Sequence, residues 1–200
     1  MEPGGITAVT GPDGMYLFEN LLPGDYFVEF DLSTSPDAEF YIYTTPNQGD
    51  DDTDSDAVPD MPEDDVARSG TTDFLNGGES DLTLDAGVVC NVEAMTAPPA
   101  TLCSTQNIDL TSGASITPAS LGGMWTTSGD GTFDDGAGIF GLATTYTPGP
   151  MDVRRGQVTL TLTTNTPSTT SGCEADSSST TFEILKVDCG SFPFNGGGGQ

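Results

Sequence analysis

Short β-strands joined by frequent turns, arranged as two consecutive domains, are what this 200-residue sequence specifies. Gly and Pro fill 26 and 14 positions and hold the apolar fraction to 34%, so the chain must turn often. No stretch keeps a helical apolar period, whereas several alternate in period two. The residue mix also changes near residue 90. Residues 1–92 hold 21 acidic side chains against one Arg, and residues 93–200 hold ten against three basic ones.

In the first region, Met15-Tyr-Leu-Phe follows the turn Pro12-Asp-Gly14, and Asp25-Tyr-Phe-Val-Glu-Phe30 follows Pro23-Gly24. The alternation puts Tyr26, Val28 and Phe30 on one face of a hairpin. Asp13 and Asp25 belong to Gly-containing turns, where an Asp caps nearby amides. Further strands are predicted at 40–44, 71–74 and 80–89, with the run from Pro59 to Asp65 an exposed loop. Between them lies the acidic loop Gly49-Asp-Asp-Asp-Thr-Asp-Ser-Asp56. Ca²⁺ takes six to eight oxygens, and alternate Asp residues on a loop can converge on one ion; a solvated loop that binds nothing is the plainer reading.

In the second region, strands are predicted at 91–94, 106–110, 123–127, 144–147, 157–163 and 180–187. The clearest is Gln157-Val-Thr-Leu-Thr-Leu-Thr163, with Val158, Leu160 and Leu162 inward and Thr outward. Trp125-Thr-Thr-Ser-Gly-Asp-Gly-Thr-Phe133 reads as strand, tight Gly turn, strand, and Trp125 is assigned to the core. Four cysteines, Cys90, Cys103, Cys173 and Cys189, permit three pairings. In a sandwich, Cys103 with Cys173 would join the two sheets as an immunoglobulin bridge does, leaving Cys90 to pair with Cys189 where first and last strands meet. Free thiols and bridges to another subunit are the alternatives. Residues 190–200 read as a Gly-rich tail or the start of a further module, in which Phe192 and Phe194 alternate.

Composition also excludes functions. A formal charge of −27 with four Lys and Arg repels phosphates, so nucleic acid is not a partner. With no His, the usual neutral-pH acid/base and the commonest transition-metal ligand are absent, and no Cys-x-x-Cys spacing occurs. No apolar run approaches the roughly 20 residues of a membrane span. Met1-Glu-Pro-Gly-Gly lacks the basic start and apolar stretch of a signal peptide. Cysteines in an acidic, β-rich chain favour an oxidising, extracellular or cell-surface site.

The order Asp13-Gly-x-Tyr-x-Phe, then Leu-x-Pro-Gly-Asp-Tyr-x-Val-x-Phe30, then Gly-Asp-Asp…Asp-Ser-Asp56, then Leu-Thr-Leu-Asp-Ala-Gly87 resembles the B-type repeat of serine-aspartate repeat surface adhesins, related to collagen-adhesin B modules. The resemblance spans residues 5–89 and implies a calcium-stabilised, non-catalytic β-sandwich that serves as a stalk. It implies Asp54 and Asp56 as Ca²⁺ ligands, with Asp50 or Asp52 as a helper. The family's first segment, with its own Asn/Asp-rich calcium loop, has no counterpart here. The first domain is therefore expected to lack its N-terminal strands, either through loss of roughly 30–40 residues, enough to weaken a small core, or because another chain supplies them. The isopeptide cross-link of the related modules needs a Lys, which the first region lacks.

Cys103, Trp125, Ser128-Gly-Asp-Gly-Thr-Phe133, Thr145-Tyr-Thr-Pro-Gly149, Asp152, Gly156 and Cys173, taken in order, resemble Ig-like repeats of large surface proteins from the Bacteroidetes group. The expectation is thus two tandem Ig-like β-sandwiches, at residues 1–89 and 90–189. The function expected is a non-enzymatic structural or stalk module of a bacterial surface adhesin or fibre. A sharper form is a filament subunit whose partners are copies of itself or neighbouring modules, joined through exposed sheet edges by strand donation. A carbohydrate-binding accessory module is the alternative.

Overall fold

A computed structural model describes residues 5–50, 54–62, 64–134 and 142–187. The chain is all-β, apart from one α-helix and two single-turn 3₁₀ segments among the described residues. It divides into two compact units, one formed by Met1–Thr34 with Tyr43–Val88 and the other by Ser35–Ile42 with Val89–Gln200. Ser35–Ile42 therefore belongs to the second unit although its sequence neighbours on both sides belong to the first.

In the first unit, β1 (Glu29–Asp31), β3 (Val58–Pro59) and β4 (Val66–Arg68) form an antiparallel sheet in the order β1-β4-β3. The loop predicted between residues 59 and 65 is thus the turn between β3 and β4. Β-pairing continues past β1 irregularly. Tyr26 and Val28 give their N–H groups to the hydroxyls of Thr72 (3.1 Å) and Ser69 (2.9 Å). A side-chain oxygen in place of a carbonyl interrupts the ladder, so the predicted strand at 25–30 becomes a regular strand only at its end. Gly24 and Leu75 form an isolated bridge further along.

From Met15 to Phe18 and from Tyr26 to Leu32, exposed residues alternate with half-buried ones. Tyr16, Phe18, Tyr26, Val28 and Phe30 share the half-buried class, which is the face the alternation predicts. The fully buried cluster of this unit is small: Tyr43, Ala57 and Ala67, with Phe30, Leu32 and Ala86 packed against it. Tyr16 meets Phe18 and Phe30 edge-on, with ring centroids 5.7 and 5.8 Å away.

The second unit is a closed sandwich. Β7 (Thr101–Cys103), β10 (Gly123–Thr127), β13 (Gln157–Thr164) and β14 (Ser177–Leu185) form one sheet in the order β10-β13-β14-β7. Β8 (Ile108–Asp109), β11 (Thr132–Phe133) and β12 (Thr145–Thr147) form the opposing sheet. Β6 (Glu93–Met95) and β9 (Ser115–Thr117) make a two-stranded ribbon; β2 (Tyr41–Tyr43) and β5 (Val88–Cys90) make another, whose Tyr43 and Val88 belong to the first unit. Trp125, Leu160, Leu162, Phe182 and Ile184 from one sheet pack with Ile108, Phe133 and Tyr146 from the other. Val158, Leu160 and Leu162 are buried and the intervening Thr residues face outward, as the alternation requires.

Helix α1 (Pro150–Arg155) is absent from the sequence reading because six residues are too few to display a period. Its local signals are nevertheless present: Pro150 at the first helical position, Asp152 at the third, and Gly156 closing it at φ 81°.

Candidate functional site

The predicted Ca²⁺ residues fall on the first unit's acidic loop, of which Asp52 lies outside the described residues. Asp54 accepts the Gly49 N–H on Oδ2 (3.1 Å), and its own N–H is bound by the Asp50 carbonyl (3.0 Å). Asp56 exchanges two hydrogen bonds with Asp85: its N–H donates to the Asp85 carbonyl (3.0 Å), and its Oδ2 accepts the Asp85 N–H (2.9 Å). Ser55 between them is buried and accepts the Gly87 N–H (3.0 Å). The loop is thereby tied to the stretch Leu82-Thr-Leu-Asp-Ala-Gly87, and Tyr16 closes the arrangement by donating to the Leu84 carbonyl (2.5 Å).

Asp85 is the residue that sequence reasoning passed over as a site, although it lies inside a motif that carried the resemblance. Burial, then the carboxylates of Asp56 and Asp54, push its carboxyl above the usual carboxylate range. Burial and the charges of Asp85, Asp56 and Asp81 likewise push up the Tyr16 phenol. The negative charge here is crowded and poorly compensated. An open depression of about 480 Å³ lies beside it, lined by Thr44, Gln48, Asp54, Ser55 and Asp85 among others. Among the described residues, however, no three carboxylates stand close enough together to hold one ion.

In the second unit the ordered motifs converge on a different object. Asp152 is fully buried and accepts hydrogen bonds from the Tyr146 hydroxyl (2.8 Å), the Gly149 N–H (3.0 Å) and the Asp130 N–H (3.3 Å). The Tyr146 hydroxyl in turn accepts from Thr127 (2.9 Å) and from the Gly131 N–H (2.9 Å). Asp130 answers from its own side chain, accepting the N–H groups of Met151 (3.0 Å) and Asp152 (3.2 Å) at the start of α1.

The two glycines of Ser128-Gly-Asp-Gly131 are required by this crowding. A Cβ on Gly129 would stand 2.0 Å from an Asp152 oxygen, and one on Gly131 2.3 Å from the Thr147 carbonyl oxygen. Burial above all pushes the Tyr146 phenol up to about 12. Every polar group is partnered inside the protein, so the cluster is a structural latch between the turn at 128–131 and α1. Trp125 is 2% exposed and its indole N–H donates to the Leu142 carbonyl (3.3 Å), which removes it as a stacking platform.

The cysteine pairing differs from the expectation. Cys90 is bonded to Cys173, with Cα atoms 5.7 Å apart. Cys103 cannot reach Cys173 because β7 runs parallel to β14, with Cys103 opposite Leu185 at the strand's far end, while Cys173 lies ahead of its first residue, Ser177. Those ends are roughly 26 Å apart at about 3.3 Å per residue, well beyond disulfide reach. Cys103 is itself disulfide-bonded, and Cys189 lies outside the described residues.

No helix among the described residues is long and apolar enough to cross a membrane. No curated protein and no solved structure matches the chain. Residues 4–88 do match a family model, that of the SdrD B-like domain. This stretch is therefore similar to an Ig-like, generally non-enzymatic structural module of surface adhesins, and it contains the whole Asp54, Asp56 and Asp85 arrangement.

Proposed function

We propose that the chain is a non-enzymatic, extracellular stalk module of a bacterial surface adhesin or fibre. The observation that carries this reading is the match of residues 4–88 to the SdrD B-like domain. Residues 1–89 act as a B-type repeat and residues 90–189 as an Ig-like module of the kind found in Bacteroidetes surface proteins, with 35–42 folded into the latter and 190–200 as a tail. The second unit's closed sandwich, its buried latch and its bridge support a load-bearing rather than a catalytic role. Labelling intact cells of the source bacterium with antibody to the chain tests this: surface staining is expected, and a signal seen only after lysis overturns it.

Within this reading Ca²⁺ is the ion for the loop carrying Asp50, Asp52, Asp54 and Asp56, with Asp85 beside it. A divalent cation would neutralise charge that the raised Asp85 carboxyl marks as crowded. The neighbours are copies of the chain or adjoining modules, joined along β1 and β3, the edges of the first unit's sheet. Exposed Met15, Leu17 and Phe27 give that unit apolar surface for such a contact. Thermal unfolding in chelator and in Ca²⁺ tests the ion: the first unit is expected to melt higher with Ca²⁺ in the native sequence and to lose that shift in D54N/D56N.

A further inference from the structure

The first unit contains a hairpin turn whose hairpin is not made. Gly14 donates its N–H to the Gly11 carbonyl (3.0 Å), Gly11 donates to the Met15 carbonyl (2.8 Å), and Gly14 sits at φ 82°. This is the three-residue turn that sends its two flanking strands out antiparallel. Pairing nevertheless stops at the turn. Among the described residues, the backbone makes no hydrogen bond from residue 5 to residue 10 on one side or from residue 16 to residue 18 on the other. Residues 5–10 are all exposed, Ile6 at 62% and Val9 at 93%. On the other side, Tyr16 and Phe18 are half-buried and alternate with exposed Met15 and Leu17.

The two segments suit each other. Ile6-Thr-Ala-Val-Thr10 is rich in β-branched residues, and no charged side chain lies between Glu2 and Asp13. Extending the register of Gly11 opposite Met15 sets Thr10 opposite Tyr16, Val9 opposite Leu17 and Ala8 opposite Phe18. Opposite residues share a face, so the small Ala8 and Thr10 would lie beside the half-buried rings, and Val9 beside exposed Leu17.

We propose that residues 5–10 are an exchanged arm, which pairs antiparallel with residues 16–18 of a second copy of this chain. Within one chain the pairing is not made, although the turn that would direct it is closed. The arm therefore leaves its donors, acceptors and apolar side chains in water, beside an edge that is itself unpaired. A second copy presents the same edge free of the turn's constraint, and exchange about a two-fold axis satisfies both arms and both edges at once. Charge sets the condition for it. Two molecules of net charge −27 repel each other, an uncharged arm lessens that repulsion at the contact, and salt should strengthen the dimer further. The inference rests on the reading that neighbours are copies of the chain, and it names an edge other than β1 and β3.

Sedimentation of the full chain over a range of concentrations, at about 0.15 and 1 M salt, reads the association. A dimer that tightens with salt is expected. Val9→Pro removes the N–H that faces Leu17 in this register and should weaken the dimer about 10-fold or more. Val9 is exposed and bonded to nothing among the described residues, so this variant keeps the native fold. An oxidised mixture of the single variants V9C and L17C is expected to yield a cross-linked heterodimer, identified by mass. A monomer at every concentration and salt overturns the proposal. So does a mixture that yields no cross-link, and closure of the double variant V9C/L17C within one chain would then show the arm returning to its own edge. A dimer unchanged by V9P refutes the arm but leaves copies joined along β1 and β3, whereas a V9P-sensitive dimer in a protein absent from the cell surface refutes the stalk reading alone.

Discussion

The two units begin from the same sequence device, strands alternating apolar and polar, and reach different degrees of closure. In the second, the apolar faces of two sheets meet, and Trp125, Tyr146, Leu160 and Leu162 are almost wholly excluded from water. In the first, the corresponding face of Tyr16, Phe18, Tyr26, Val28 and Phe30 is half-buried, and the fully buried cluster beside it holds only Tyr43, Ala57 and Ala67. Alternation therefore selects which face a strand buries, but not whether that face finds cover. Cover depends on a second layer.

The largest expected contrast comes from truncating one aromatic in each unit. Trp125→Ala empties a closed core and should destabilise the second unit by about 3–5 kcal/mol. Phe30→Ala removes a partly buried ring at the edge of the first unit's small cluster and should cost less, about 2 kcal/mol. Chemical denaturation followed by a probe in each unit measures both, and equal losses would show that the first unit is packed as tightly as the second.

Next in size is the latch, which has no equivalent among the described residues of the first unit. Asp152→Ala takes the acceptor from the buried Tyr146 hydroxyl and Gly149 N–H and from the partly buried Asp130 N–H, at an expected cost of about 2–4 kcal/mol. Tyr146→Phe leaves the carboxylate its amide partners and should cost less, about 2 kcal/mol. A reversed order would mean that the tyrosine, not the carboxylate, holds the turn to α1.

The smallest effect is one of pH, and it has opposite signs at different carboxylates. Asp85 has a raised value in the folded protein, so the folded state binds its proton more readily than the unfolded chain does. Its contribution makes the first unit more stable as pH falls from neutral toward 3.8. Asp31, in the same unit, is held low by the hydroxyl and then the N–H of Ser33, and its contribution is lost only below 3.8. Asp85→Asn should therefore raise the first unit's melting temperature slightly at neutral pH and flatten the rise on acidification. An unchanged profile would show that Asp56 and Asp54 do not crowd it.

Much of the closed unit is legible in the sequence. Perfect alternation from Gln157 to Thr163 locates β13, and a lone Trp flanked by strand residues locates the core. The latch is legible as a motif order but not as a mechanism, because the reason for Gly129 and Gly131 is a close approach to Asp152 and Thr147, residues about 15–25 positions away. The disulfide pairing is not legible, since the parallel register of β7 on β14 decides which cysteines stand at the same end. In the acidic loop, the repeated Asp residues announce a charged site, yet the partner that the fold brings to them, Asp85, comes from a separate motif some 30 residues on. Nothing in local composition assigns Ser35–Ile42 to the second unit; its hydrogen bonds to residues 168–171 do.

Hydrogen exchange on the intact chain tests the contrast between the units most directly. Amides of β10, β13 and β14 are expected to exchange slowest, and those of β1 and β4 roughly 100-fold faster or more, because opening the first unit uncovers little apolar surface. Equal protection in β4 and β13 would contradict the account, for it would mean that the first unit's face is as fully covered as the second's.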